Sequence, residues 1–316
     1  MFELPKPDVI LVHESDLDGF VSGLLLRRLA QSLFHEEVRL EAWHTHAWQQ
    51  RPLSENSAWV ADLAFDRRMD RPGWVVIDHH PALAEPRHAR LVHDTTKSAG
   101  RLCHELCREH GVADVSDATA RIVELSNVAD LFLCDHPDFE AAQDHASLVK
   151  TYHFWNLYDL IGGELESLLD HPLIEVMRTR RRVEDPIGLA WSRERIEMLT
   201  EEVAYVPVVV GNSNQIVHEI LRDAATPARV LLTLSRKPGG QITASLRSRN
   251  GEALTTAERL QGGGHPDAAG ATLPRTVRGI PDALDYLRRT LAPKSKVPTR
   301  MTGLAGLLET FDAGLK

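Results

Sequence analysis

The chain has 316 residues, 43% of them apolar, a net charge of −9, a pI near 6.0 and three cysteines. This acidic balance excludes a broad basic face for coating long duplex nucleic acid, while the apolar content suffices for two domains of ordinary size. No stretch approaches the roughly 18 apolar residues of a membrane span, the opening MFELPKPDVILVHES lacks a signal-peptide pattern, and sparse cysteines fit a reducing compartment, so the expectation is a cytoplasmic protein.

Asp8–Val12 (DVILV) reads as a buried strand and Phe20–Leu33 as a helix. Between them lies His13-Glu14-Ser15-Asp16-Leu17-Asp18-Gly19, where Gly19 permits a sharp turn. Strand, acidic turn and helix form half of a βαβ unit. One histidine and two aspartates within six residues suit a divalent cation such as Mn²⁺ or Mg²⁺. A helix cap alone would need only one of them.

Val38–Trp43 reads as a second strand and His44–Asn56 as a loop, whose His44 and His46 are set aside as surface residues. Ser57–Leu63 is a third strand that ends at Asp62, and Asp66 follows in a loop. Trp74–Ile77 is a fourth, running straight into Asp78-His79-His80-Pro81. In open α/β sheets, ligands bind at the carboxyl ends of the strands. Three such ends here carry an acid or an imidazole.

Thr95–His110 reads as a helix that buries Cys103 and Cys107 and lacks the further ligands of a zinc site. Asp117–Leu133 is another, capped by Ser116 or Asp117. Its Asp130 lies among apolar neighbours, so it is either paired or metal-bound. Asp135 and His136 are the competing candidates. Ser147–Leu169 reads as one long helix with a weak break at Gly162-Gly163, and His171–Arg195 as a partly helical connection.

Tyr205–Val210 is strand-like, and Asn214–Arg222 a short helix. Val230–Arg236 and Gln241–Arg247 form a hairpin about Pro238-Gly239-Gly240. The glycine run Gly262, Gly263, Gly264, followed by His265 and Ala268-Ala269-Gly270, allows close backbone approach to a phosphate or base. With Arg247 and Arg249 just upstream, an anion site is favoured over a flexible loop. The residues from Ala292 onward read as a peripheral tail.

IDHH at a strand end, the upstream HESDLDG, Asp62, Asp130 and the C-terminal GGGHPDAAG together resemble the DHH/DHHA1 phosphoesterases, over roughly residues 8–275. Within that superfamily the chain looks like the short members: nanoRNases, oligoribonuclease-like short single-strand exonucleases, phosphoadenosine-phosphate phosphatases and dinucleotide hydrolases. The resemblance implies an α/β fold. A parallel-sheet DHH domain with helices on both faces would span 1–170 and a connecting segment 171–204. A smaller α/β DHHA1 domain would span 205–290 and a tail 291–316, with the active site in the cleft between the domains.

The resemblance further implies two divalent cations, Mn²⁺ first, with Mg²⁺ or Co²⁺ as alternatives. His13 and Asp16 would hold one, Asp18 and His79 the other, with Asp62 and Asp130 bridging or flanking both. The spacing between His13 and Asp16 is one residue longer than in many members, which makes Glu14 an alternative ligand. Asp78 would stand behind the imidazoles and orient one of them, and His80 would face the scissile phosphate. Gly262, Gly263, Gly264 and His265, with Arg247 and Arg249, would hold the rest of a nucleotide.

The function expected is hydrolysis of short oligonucleotides to mononucleotides by two-metal activation of water, extending to phosphoadenosine phosphate. Alternatives are cyclic- or linear-dinucleotide hydrolysis, pyrophosphate or polyphosphate hydrolysis, and nucleotide binding without catalysis. The expected partner is a short oligonucleotide or dinucleotide, with neither long duplex nor membrane, and a homodimer is compatible with the sequence.

Overall fold

The computed structural model describes residues 3–81, 84–112, 116–237 and 239–292. Among the described residues two compact units emerge: those from 3 to Glu194 with Val208–Glu219, and Arg195–Pro207 with those from Ile220 to 292.

The first unit is built on a five-stranded sheet: β1 (Val9–His13), β2 (Arg39–Trp43), β3 (Ala58–Ala61), β4 (Trp74–Asp78) and β5 (Arg90–His93), in the order β2-β1-β3-β4-β5. Every adjacent pair is parallel. A parallel sheet covered on both faces needs apolar residues at consecutive positions, and β1, β3 and β4 supply them. Ile10, Val12, Trp59, Ala61, Val75 and Ile77 bury one face in a large helix-covered core. Val9, Leu11, Ala58, Val60, Trp74 and Val76 bury the other in a smaller cluster with Trp48, Phe65 and Met69.

The larger core is covered by α1 (Leu17–Phe34) and, after α2 (Thr45–Gln50), by α3 (Ala99–Glu109), α4 (Asp117–Asp130), α5 (Phe139–Tyr152) and α6 (Phe154–Leu160). Helix α2 lies in the stretch expected as loop. Trp48, 3% exposed, pins this six-residue helix to the smaller cluster, an anchor that periodicity does not reveal. Strand β5 was not anticipated either, because an edge strand of four residues carries only Leu91 and Val92 as apolar positions.

The single helix expected over Ser147–Leu169 is instead α5, α6 and a 3₁₀ turn at Leu165–Leu168. The chain breaks at His153, whose φ of 67° is left-handed. The expected connection from His171 to Arg195 is largely one helix, α7 (Leu173–Arg193), which continues through Pro186. Arg181 Nε donates to Asp144 Oδ1 of α5 at 2.8 Å, and the Asp144 side chain is buried. That ion pair keeps α7 with the first unit.

The chain continues through β6 (Glu197–Met198), β7 (Val203–Tyr205) and α8 (Ser213–Arg222). Strand β7 is shorter than the expected Tyr205–Val210 and ends ahead of Pro207, which has no N–H for a ladder. The second unit's sheet adds β8 (Val230–Arg236), β9 (Ile242–Ser248), β10 (Gly263–His265) and β11 (Ala268–Thr272), in the order β10-β11-β9-β8-β7-β6. Only β7 and β8 pair in parallel. The β8–β9 hairpin forms as expected, although Pro238 of its turn lies outside the described residues. Helices α9 (Glu252–Arg259) and α10 (Ile280–Leu291) share a core with Leu232 and Leu246 through Ala253, Ala257 and Leu287. Of the expected tail, residues 293–316 lie outside the described residues. No helix among the described residues is long and apolar enough to cross a membrane.

Candidate metal centre

Parallel register sets Val12, Ala61 and Ile77 side by side on β1, β3 and β4. The residues that follow, His13, Asp62 and Asp78-His79, therefore emerge along one sheet edge. Asp16 caps α1, with Oδ1 accepting from Gly19 N at 3.1 Å. Its other oxygen lies 2.7 Å from His13 Nδ1. The capping and ligand readings of Asp16 are thus compatible. Gly19 is needed for close approach, since a Cβ there would lie 2.0 Å from the His13 carbonyl oxygen.

Asp62 stands in the middle. Oδ2 is 3.5 Å from His13 Nδ1, and Oδ1 is 3.7 Å from His79 Nε2. His79 Nε2 in turn lies 3.2 Å from Asp130 Oδ2, on the last residue of α4. Three groups of potential ligand atoms each fall within 4.8 Å: His13-Asp16-Asp62, Asp18-His79-Asp130 and Asp62-His79-His80. All six expected ligands converge, and His80 joins them. Glu14 turns away to His44, 3.3 Å from its Nε2. His136 pairs instead with Glu124 at 3.7 Å. Asp78 accepts from His80 Nδ1 at 2.8 Å, so the imidazole it orients is that of His80. A residue missed in the sequence, His93 of β5, donates from Nε2 to the His80 carbonyl at 2.7 Å.

The remaining expected site residues lie in the second unit. Arg247 of β9 faces Ala268 of β11, which faces His265 of β10. Directly paired antiparallel residues share a sheet face, so Arg247 and His265 are on one face, two strands apart. Arg249 is exposed, just past the end of β9. Two residues of the glycine run, Gly263 and Gly264, begin β10, and the run has packing reasons of its own. A Cβ on Gly262 would lie 2.1 Å from Gly270 O, and Gly264 has a φ of 138°. Gly263 has open space around it.

Residues 203–292 match the DHHA1 domain family. The C-terminal part of the chain is a DHHA1 domain. No curated protein matches the chain by sequence. Among solved structures, it is similar to PggH from Vibrio cholerae, a pGpG-specific phosphodiesterase, at 13% identity and a TM-score of 0.52, covering 90% of this chain and 97% of that one. An exopolyphosphatase-related protein from Bacteroides fragilis matches at 16% identity and a TM-score of 0.52, over 91% and 94% of the two chains. RecJ from Thermus thermophilus in complex with Mn²⁺ matches at 16% identity and a TM-score of 0.51, over 89% of this chain and 52% of RecJ. The chain thus shares its fold with these three structures, with Asp78-His79-His80 at a strand end of its first unit and the DHHA1 match behind it in sequence.

The strand-end cluster ahead of the DHHA1 domain fits a divalent cation. Asp62 Oδ2 and Asp130 Oδ2 are buried without a hydrogen-bond donor among the described residues. Buried carboxylate oxygens are costly without a partner, and a mixed set of carboxylates and imidazoles suits hard divalent ions. The charges are strongly coupled. Burial disfavours the charged His13 ring, but Asp16 and Asp62 outweigh it and raise its pKa to about 11. Burial, with the charge of Asp62 adding to it, raises Asp18 to about 6. Burial and then Asp18 and Asp62 push Asp130 well above the usual carboxylate range. Asp62 moves the other way: burial opposes its charge, but His13 and His79 hold it below its ordinary value. Without metal the cluster keeps protons where like charges crowd, and a cation would displace them.

Asp18 also ties helices together. Its oxygens accept from Ala99 N at 2.7 Å, Gly100 N at 3.0 Å and Ser126 Oγ at 2.9 Å. A carboxylate is well placed at the N-terminus of α3. A Cβ on Gly100 would lie 2.8 Å from Asp18 Oδ1. Gly100→Ala is therefore expected to displace Asp18, destabilise the fold by about 1–3 kcal/mol and weaken cation binding. Thermal unfolding and a Mn²⁺ titration of the variant check both effects.

Proposed function

We propose that the chain is a Mn²⁺-dependent phosphodiesterase that hydrolyses short oligonucleotides, linear dinucleotides included, to mononucleotides. The observation that carries this reading is the position of Asp62 between two ligand groups at one sheet edge. Two divalent ions bound there would supply an acidified water and offset charge in an in-line phosphoryl displacement. In this reading His13 and Asp16 would hold one ion, Asp18, His79 and Asp130 would hold the other, and Asp62 would be available to either. His80, fixed by Asp78, offers an N–H to charge that develops on the phosphoryl group. Arg247 and His265 lie on one face of the DHHA1 sheet, where a guanidinium and an imidazole suit an anionic group. The net charge of −9 favours short substrates over long polymers. The likeness to PggH, a pGpG-specific phosphodiesterase covered over 97% of its length, supports a substrate of dinucleotide size.

A substrate panel tests the reading. Purified protein with Mn²⁺ is given a labelled linear dinucleotide, a five-nucleotide RNA, a cyclic dinucleotide, phosphoadenosine phosphate and pyrophosphate. Mononucleotide release from the first two, with phosphate release from phosphoadenosine phosphate as a lesser activity, is the expected result. Turnover of pyrophosphate in preference to all nucleotides would overturn the assignment in favour of a pyrophosphatase.

A further inference from the structure

The stretch between His13 and Asp16 is held from outside by the end of the neighbouring strand. Strands β1 and β2 pair in parallel with His13 opposite Trp43, and Glu14 N donates to the Trp43 carbonyl at 3.1 Å. The next two residues of that neighbour, His44 and Thr45, both reach across. His44 Nδ1 lies 2.7 Å from Ser15 Oγ, and its Nε2 lies 3.3 Å from Glu14 Oε2. Thr45 Oγ1 lies 3.5 Å from His13 Nε2. The other nitrogen of that ring, Nδ1, faces Asp16 and Asp62. A metal-binding histidine is commonly oriented through the ring nitrogen that does not touch the metal.

The support behind these two residues is firm. Helix α2 starts at Thr45, and its Trp48 is 3% exposed in the core. Arg68 donates to the carbonyls of Trp48 at 3.3 Å, Gln49 at 3.1 Å and Arg51 at 3.2 Å. The side chain of His44 makes no capping bond to α2. Its removal therefore leaves the helix and its anchor in place. The side chain of His44 is 58% exposed, and exposed polar pairs add little to global stability. What these contacts fix is the geometry of three consecutive residues that include a ligand.

We propose that His44 and Thr45 are positioning residues that brace the His13–Asp16 segment for divalent-cation binding, Thr45 by orienting the His13 ring and His44 by clasping Glu14 and Ser15. This inference rests on the reading of the strand-end cluster as a metal centre. Its test is calorimetric titration of the full chain with Mn²⁺, for the wild type, Thr45→Val, His44→Ala and His44→Gln, beside the melting temperature of each metal-free protein. Removing such a supporting partner costs about 10–100-fold in metal affinity, so Thr45→Val and His44→Ala should each weaken binding at least about tenfold. His44→Gln, which keeps a donor and an acceptor, should recover part of that loss. The metal-free melting temperatures should stay at the wild-type value. Wild-type affinity in Thr45→Val and His44→Ala overturns the brace and leaves the metal centre standing. A matching fall in metal-free melting temperature reduces both residues to a structural role. A wild type that binds no Mn²⁺ removes the metal reading and the brace with it.

Discussion

Asp62→Asn is expected to abolish cation binding and phosphoester hydrolysis while leaving the metal-free fold intact. Asp62 belongs to two of the three ligand groups, and its Oδ2 is buried without a hydrogen-bond donor among the described residues. Its two oxygens lie 3.5 Å from His13 Nδ1 and 3.7 Å from His79 Nε2. Outer-shell partners of metals cost up to about 100-fold on removal, so loss of a shared ligand should lower turnover by more than that. Asparagine is the informative replacement. Asp62 has a φ of 56°, a left-handed conformation that asparagine tolerates and other side chains resist. Alanine there would add backbone strain of about 1–2 kcal/mol and blur the result. Calorimetry with Mn²⁺, turnover of a labelled dinucleotide and the melting temperature of the metal-free variant make the comparison. Undiminished Mn²⁺ affinity in Asp62→Asn would falsify the shared-ligand role.

Mn²⁺ should raise the melting temperature strongly, and more so at higher pH. A ligand at 100 times its dissociation constant stabilises by about 2.7 kcal/mol, which corresponds to roughly 5–11 °C for a unit of this size. Protons compete for the same atoms. His13, raised to about 11, stabilises the metal-free fold fully below its unfolded value of 6.5, and that support is lost as pH rises through the folded value. Asp18 is also raised, to about 6, so its contribution is largest below the unfolded value of 3.8 and declines as pH rises through that interval. Both groups thus favour the metal-free state most when protonated, and both must give up that proton to a cation. The Mn²⁺-induced shift should accordingly be larger at about pH 8 than at about pH 5.5. Calorimetry in buffers of different ionisation enthalpy should register net proton release. A shift that shrinks as pH rises would contradict the protonation states assigned to His13 and Asp18.

Much of the candidate site was legible because parallel strands are read from short apolar runs, and their ends are read from where those runs stop. The apolar runs of DVILV, SAWVADL and WVVID end beside His13, Asp62 and Asp78-His79, and those positions needed no tertiary information. Less was legible where one contact overrides a pattern. Trp48 turns an expected loop into α2, and His153 divides an expected single helix into α5 and α6. The segment after His171 looked like a connection because its charges hide the helical period, yet the buried pair of Asp144 and Arg181 holds it as a regular helix. The glycine run reads as an anion site from the sequence, and the structure adds that Gly263 and Gly264 begin β10 while Gly262, just before it, lies too close to the Gly270 carbonyl for any side chain.

The residue types of the cluster, their order along the chain and the strand ends that carry them were determined by the sequence alone, because alternation and apolar runs depend on neighbours a few positions apart. Only the tertiary structure decided that Asp62 lies between His13 and His79, that Asp130 rather than His136 completes the cluster, that Asp78 orients His80, and that Glu14 faces His44 instead of the site. Those choices depend on strand register and on helix packing, which join residues up to about a hundred positions apart in sequence. Local pattern carries no term for them.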